Sequence, residues 1–161
     1  VVAAVRGPAV GIGFSLAMAC DVVIASAKSN FSQVFTKVGL APDGGAIWFL
    51  ARQMGLTRAK ELVYSARRLG GDEAHALGLV TRLVEDERVF DEALEFATQY
   101  AEGPGLALAM AKQMFAASVS PSLEQFLEME LLVGPQLSQT DDHAEGRTAF
   151  AEKRRPRFAG R

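Results

Sequence analysis

The first 25 residues commit this chain to a mixed α/β start. Val1-Val2-Ala3-Ala4-Val5 is an unbroken apolar run, the pattern of a fully buried strand. Arg6-Gly7-Pro8 is a turn signal, and Gly11 and Gly13 open a short apolar helix from Phe14 to Cys20. Asp21-Val22-Val23-Ile24-Ala25 then reads as a second buried strand. The first residue is a valine inside an apparent core strand, so the expectation is that more of the protein lies upstream of Val1.

The remaining 136 residues divide by composition. Phe31 to Val38 is a short ambiguous segment, and residues 39–45 form a glycine-rich loop. Asp43 is placed to cap a helix over Gly44–Met54, Gly55 ends it, and Thr57 caps another to about Ala66. Asp72 starts a helix that Gly78 closes, and Val80–Val84 is a strand. From Asp86 the chain reads as helix over about 86–102, 105–117, 122–139 and 141–153. Ser122 with Gln125 forms a capping box, and Gly134-Pro135 is expected to kink or split its helix. The reading is therefore an α/β portion over 1–88 followed by a helical region over 89–161. Leu123, Phe126, Leu127 and Leu131 supply an apolar face suited to packing or oligomer contacts.

Composition narrows the function classes. A net charge of −2 argues against a whole-chain nucleic-acid binder. Lys28, Arg52 and Asp21 interrupt every run that approaches membrane-spanning length. One cysteine, Cys20, excludes an intramolecular disulfide and a multi-Cys zinc site, and points to a reducing cytoplasm. With only His75 and His143, a histidine-based metal centre has few ligands, and Asp141-Asp142-His143 reads better as an exposed helix start.

Four constellations could carry chemistry. Gly11-Ile12-Gly13 lies between a strand and a helix, where free N–H groups and partial positive charge suit an anion or oxyanion; a plain packing turn explains it as well. It is not a dinucleotide fingerprint, because the third glycine is replaced by Leu16. Gly13-Phe14-Ser15-Leu16-Ala17 brushes against a nucleophile elbow, with Ser15 needing His75 or His143, but its last glycine is alanine. Asp43, in Pro42-Asp43-Gly44-Gly45, is either a helix cap or a general base in an apolar loop flanked by Leu40, Ala41, Ile47 and Trp48. Arg147, Lys153, Arg154, Arg155, Arg157 and Arg161 make the end of the chain basic, able to hold phosphates or simply solvated.

An ordered set of short strings resembles the crotonase (enoyl-CoA hydratase/isomerase) superfamily: Val2-Ala3-Ala4-Val5-Arg6-Gly7-Pro8-Ala9-Val10-Gly11-Ile12-Gly13, then Cys20-Asp21, then Gly39-Leu40-Ala41-Pro42-Asp43-Gly44-Gly45. It continues through Gly78-Leu79-Val80 to Glu145-Gly146, Ala149-Phe150 and Glu152-Lys153-Arg154. The resemblance implies a spiral of ββα units followed by helices that build a trimer or a pair of trimers. It implies action on acyl-coenzyme A thioesters with no separate cofactor. By position, the Ile12 N–H is one of two oxyanion donors, within the Gly11–Gly13 turn; the other donor, and the adenine pocket, are expected upstream. Trp48 is a candidate substrate wall, and Phe150 and Lys153 match tail positions that touch coenzyme A in relatives.

The departures point to a particular reaction. Hydratases of the family place two glutamates on the active water, where this chain has Ser15 and Phe35. Relatives that move double bonds, or isomerise ring epoxides, carry an acid in the loop where this chain has Asp43. The expectation is double-bond isomerisation with Asp43 as proton shuttle. Hydration, and a non-catalytic role in acyl-CoA binding or assembly, stay open.

Overall fold

The computed structural model describes residues 1–161. They form two compact units, Val1–Ala97 and Thr98–Arg161. The first carries all six strands: β1 (Val2–Val5), β2 (Pro8–Val10), β3 (Val22–Ala25), β4 (Asn30–Ser32), β5 (Leu69–Gly70) and β6 (Arg82–Leu83). Its helices are α1 (Ile12–Ala19), α2 (Ala46–Met54), α3 (Leu56–Ser65) and α4 (Gly71–Ala76), with a 3-10 turn over Val34–Val38. A second 3-10 turn, Asp86–Arg88, leads into α5 (Val89–Ala101).

The strands sort into two three-stranded sheets, ordered β1-β3-β6 and β2-β4-β5. Each passage of the chain lays one strand in each sheet. β1 pairs in parallel with β3, and β2 in parallel with β4. The short β1-β2-α1 stretch is therefore one turn of a ββα spiral and β3-β4 begins the next. Only β4 and β5 pair antiparallel.

The core of this unit lies between the sheets and α1 to α4. Phe14, Phe31, Leu50, Leu62 and Leu69 are fully buried, and the Phe14 and Phe31 rings meet at 5.3 Å. Each such side chain contributes about 1.5–3 kcal/mol by leaving water. Ile24, Val89 and Ala93 form a second buried cluster, so the start of α5 packs on β3.

Several local expectations give way to tertiary context. Within residues 1–161 β1 is half-buried, whereas β3, between β1 and β6, buries Val23, Ile24 and Ala25. The proposed strand at Val80–Val84 shrinks to two residues. β2 and β5 flank β4 in a register set by a strand twenty or more residues away in sequence. Neither Asp43 nor Thr57 is a helix cap. Gly45 and Gly55 hold those positions, with φ of 78° and 82°, and Thr57 falls inside α3.

The second unit is helical: the end of α5, then α6 (Gly105–Ala117), α7 (Leu123–Ser138) and α8 (Asp141–Glu152). The capping box forms as expected, Ser122 and Gln125 exchanging bonds of 3.4 and 3.0 Å. Pro135 does not split α7; it lies close to the C-terminal end, where a proline forfeits one ladder bond. Asp142 is not exposed but buried, accepting from the N–H groups of Ala159 (2.6 Å) and Gly160 (3.0 Å). No helix is long and apolar enough to cross a membrane.

Candidate functional site

Gly11 places the first turn of α1. Its φ of 57° is a left-handed conformation natural to glycine, and its own N–H is taken by the Ser32 carbonyl at 2.9 Å. Its carbonyl accepts from Phe14 and Ser15. The N–H groups of Ile12 and Gly13 donate to no acceptor in the chain. They are the unsatisfied donors that open a helix, and they share its partial positive charge. No acidic residue sits in that first turn. Ile12 is half exposed, and a methyl group at Gly13 would meet nothing within 4 Å. The N–H of Ile12, the expected donor, is thus unengaged, with Gly13 beside it in open space.

The loop carrying Asp43 folds back onto this turn. A Cβ at Gly44 would lie 2.5 Å from Ile12 Cδ1 and 3.1 Å from Ser15 Cβ, so only glycine lets the loop seat there. Gly44 and Gly45 are both left-handed, at 60° and 78°. They carry the chain two residues past Asp43 before α2 begins, which is why the Asp43 side chain misses the cap position. Its carbonyl accepts instead, from Ala46 N–H at 3.2 Å and from the Ser15 hydroxyl at 3.0 Å. The loop does not bury the residue as its apolar flanks promised: Asp43 is exposed, as are Leu40, Ala41 and Ile47. Its carboxylate has no hydrogen bond or ion pair.

The two positions that lack glutamate lie at the same place. Ser15 is fully buried, its hydroxyl 3.3 Å from the Gly11 carbonyl as well as 3.0 Å from that of Asp43. No histidine approaches it in the manner of a hydrolase; His75 Nδ1 is bonded to the Val80 carbonyl at 2.9 Å. Phe35 is half-buried, and a methyl group at Gly11 would sit 3.7 Å from its ring. Gln33, which no pattern in the sequence singles out, is fully buried and donates from Nε2 to Ser15 Oγ at 3.3 Å.

Trp48, on α2, is half exposed rather than core. Its ring meets Phe49 edge-on at 5.0 Å, and the Arg52 guanidinium lies 3.8 Å from its centroid. Phe150 and Lys153 belong to the second unit. Phe150 is 87% exposed and lines an apolar cavity of about 480 Å³ with Leu106, Leu137, Arg147 and Phe158. Lys153 ends α8 with φ of 55°, a place that favours glycine. Its ammonium makes no ion pair, whereas Arg154 is held by Glu145 and Glu152, and Arg155 by Glu102.

Comparison with known proteins places this geometry. The sequence pattern of "Enoyl-CoA hydratase/isomerase" matches residues 1–161. The chain is 42% identical over 161 residues to the "Probable enoyl-CoA hydratase" of Rhodobacter capsulatus, covering 100% of this chain and 63% of that protein. It is 35% identical to the 1,2-epoxyphenylacetyl-CoA isomerase of Escherichia coli strain K12, covering 100% and 62%. A crystal structure of an enoyl-CoA hydratase from Polaromonas sp. JS666 superposes with a TM-score of 0.94 at 37% identity, over 98% of this chain and 62% of that one. The chain thus spans about three fifths of the length of these relatives, and the shared fold is the crotonase-like ββα spiral followed by helices. By a pattern matched along its whole length and a fold shared with solved members, the chain belongs to the enoyl-CoA hydratase/isomerase family.

Proposed function

We propose that the protein isomerises the double bond of an acyl-coenzyme A thioester, with Asp43 as the proton shuttle and the Ile12 N–H as an oxyanion donor. One observation carries this: an unpaired, exposed carboxylate sits on a loop seated directly against a helix turn with free N–H groups. In a 3-enoyl-CoA, the Asp43 carboxylate takes the α-proton and the C–H electrons delocalise onto the thioester oxygen. The Ile12 N–H and the helix end stabilise that dienolate. The protonated Asp43 then returns the proton to the γ-carbon, giving the 2-enoyl isomer and restoring the carboxylate. No group beyond the coenzyme A of the substrate is needed. Water addition is the weaker reading, because Ser15 is buried with its hydroxyl engaged and Phe35 has no proton to give.

The remaining assignments follow the same reading. Trp48 with Gly11 and Gly13 would flank the acyl end; Phe150 and the unpaired Lys153 would contact coenzyme A, of this or a neighbouring subunit, the lysine as a point charge on phosphate. The exposed apolar faces of α6 and α7 would be covered in a trimer or dimer of trimers. A reducing compartment, which we take to be the cytoplasm, suits the free Cys20.

The test is Asp43→Asn, assayed with a 3-enoyl-CoA in deuterated water. The wild type is expected to shift the double bond and exchange α-protons. The variant is expected to bind acyl-CoA but lose about 10²–10⁴-fold in turnover, the usual share of general acid–base catalysis. Wild-type isomerisation by Asp43→Asn sinks the proposal; α-exchange without isomerisation, or a hydroxyacyl product, moves the chain to another family reaction.

A further inference from the structure

The Asp43 carboxylate has no partner of its own, so its position is set through its backbone, and that backbone is tied to α1 by a single side chain. Serine inside a helix ordinarily bonds the carbonyl four residues back. Ser15 has that option in Gly11 at 3.3 Å, yet its shorter contact is the Asp43 carbonyl at 3.0 Å, 28 residues on. The hydroxyl has one proton to give. Gln33 Nε2 donates to the same oxygen at 3.3 Å, leaving Gln33 Oε1 buried with no partner. Folded proteins avoid such an orphan unless something else is gained. With its amide turned the other way, Gln33 would satisfy Oε1 only by taking the Ser15 proton away from Asp43. A carbonyl oxygen only accepts, so the donor order is Gln33 to Ser15 and Ser15 to Asp43.

We infer that Ser15, oriented by Gln33, is a positioning residue that holds the Asp43 peptide against the Ile12 end of α1 and so fixes the separation of base and oxyanion donor. The inference rests on the isomerase reading above. It assigns a task to the residue standing where hydratases of the family carry a glutamate: a structural tie in place of an acid. Misplacing a reacting group by about 1 Å costs on the order of 10²-fold in rate. Substrate contacts elsewhere are untouched, so binding should be spared.

The experiment compares Ser15→Ala, Ser15→Cys and Gln33→Met with wild type, measuring kcat and KM on a 3-enoyl-CoA and hydrogen exchange of the amides in residues 43–46. Ser15→Ala is expected to lower kcat by about 10–100-fold with KM within about twofold, and to speed exchange in that loop. Ser15→Cys, which keeps a weak donor, is expected to fall between. Gln33→Met should lower kcat in wild type but add little to Ser15→Ala, as coupled groups do. Gln33→Met also carries the test by itself if Ser15→Ala does not fold. Unchanged kcat and loop exchange in Ser15→Ala overturn the inference, as does a loss confined to KM. An inactive wild type sinks the isomerase reading instead, and loop exchange in the variants then decides the tie alone.

Discussion

Gly44 is the residue on which the site closes. Its φ of 60° and the 3.1 Å approach to Ser15 Cβ leave no room for a side chain. The 2.5 Å clash with Ile12 Cδ1 is relieved by moving a flexible side-chain end, but Ser15 Cβ cannot step aside. Gly44→Ala is therefore expected to destabilise the chain by about 1–2 kcal/mol, from the left-handed backbone alone. It should also lift the loop from α1 and reduce the proposed isomerisation while leaving the Asp43 carboxyl chemically intact. Urea midpoints and turnover measured together check this; a variant with wild-type turnover would show that the seat of the loop is immaterial.

At the scale of the element, the end of the chain behaves as a strap on α8. Asp142 holds it through the Ala159 and Gly160 N–H groups, and Glu145 through Arg154 Nη1 and Nη2, at 2.6 and 2.8 Å, and Arg157 N–H at 2.8 Å. The Arg154 bonds, then the Arg157 N–H, pull the Glu145 carboxyl down from 4.5 to about 2. A carboxyl depressed on folding adds stability that is fully present above its unfolded value and lost as pH falls through its folded value. The strap is thus expected to lose its Glu145 contribution between about pH 4.5 and pH 2 and to keep it at neutral pH. Hydrogen exchange of residues 154–161 across that window, compared with Glu145→Gln, isolates the effect. The pair is exposed, so salt should weaken it. If wild type and variant lose protection in parallel, Glu145 is not the group responsible.

For the whole molecule, the second unit leaves much apolar surface uncovered. Neither α6 nor α7 has a single buried residue. Phe115, Leu123, Leu131 and Leu132 are each about 70% exposed or more. Large exposed apolar patches mark interaction surfaces, and the proposed trimer would bury these faces between copies. Light scattering at micromolar concentration is expected to give a trimer or a multiple of it. Charged substitution at Leu131 should shift the population toward monomer with α7 still helical by circular dichroism. A monodisperse wild-type monomer contradicts the proposal.

What the amino-acid order determined without help was local or cumulative. The Ser122–Gln125 cap, the helices over 105–117 and 141–152 and strand β3 follow from residues within a few positions of one another. Family membership followed from many weak strings in the right order. Tertiary structure alone decided the rest. β2 and β5 are too short to persist without β4 between them. The glycines around Asp43 read as permission for a turn, not as the left-handed pair that takes its side chain away from the helix. Ser15 read only as part of an incomplete nucleophile pattern because its hydroxyl partner lies 28 residues away, and Gln33 carried no signal, since its burial exists only once β4 and α1 are packed together. Hydrogen-bond direction is a property of the folded contact, and that contact joins three segments that no spacing rule connects.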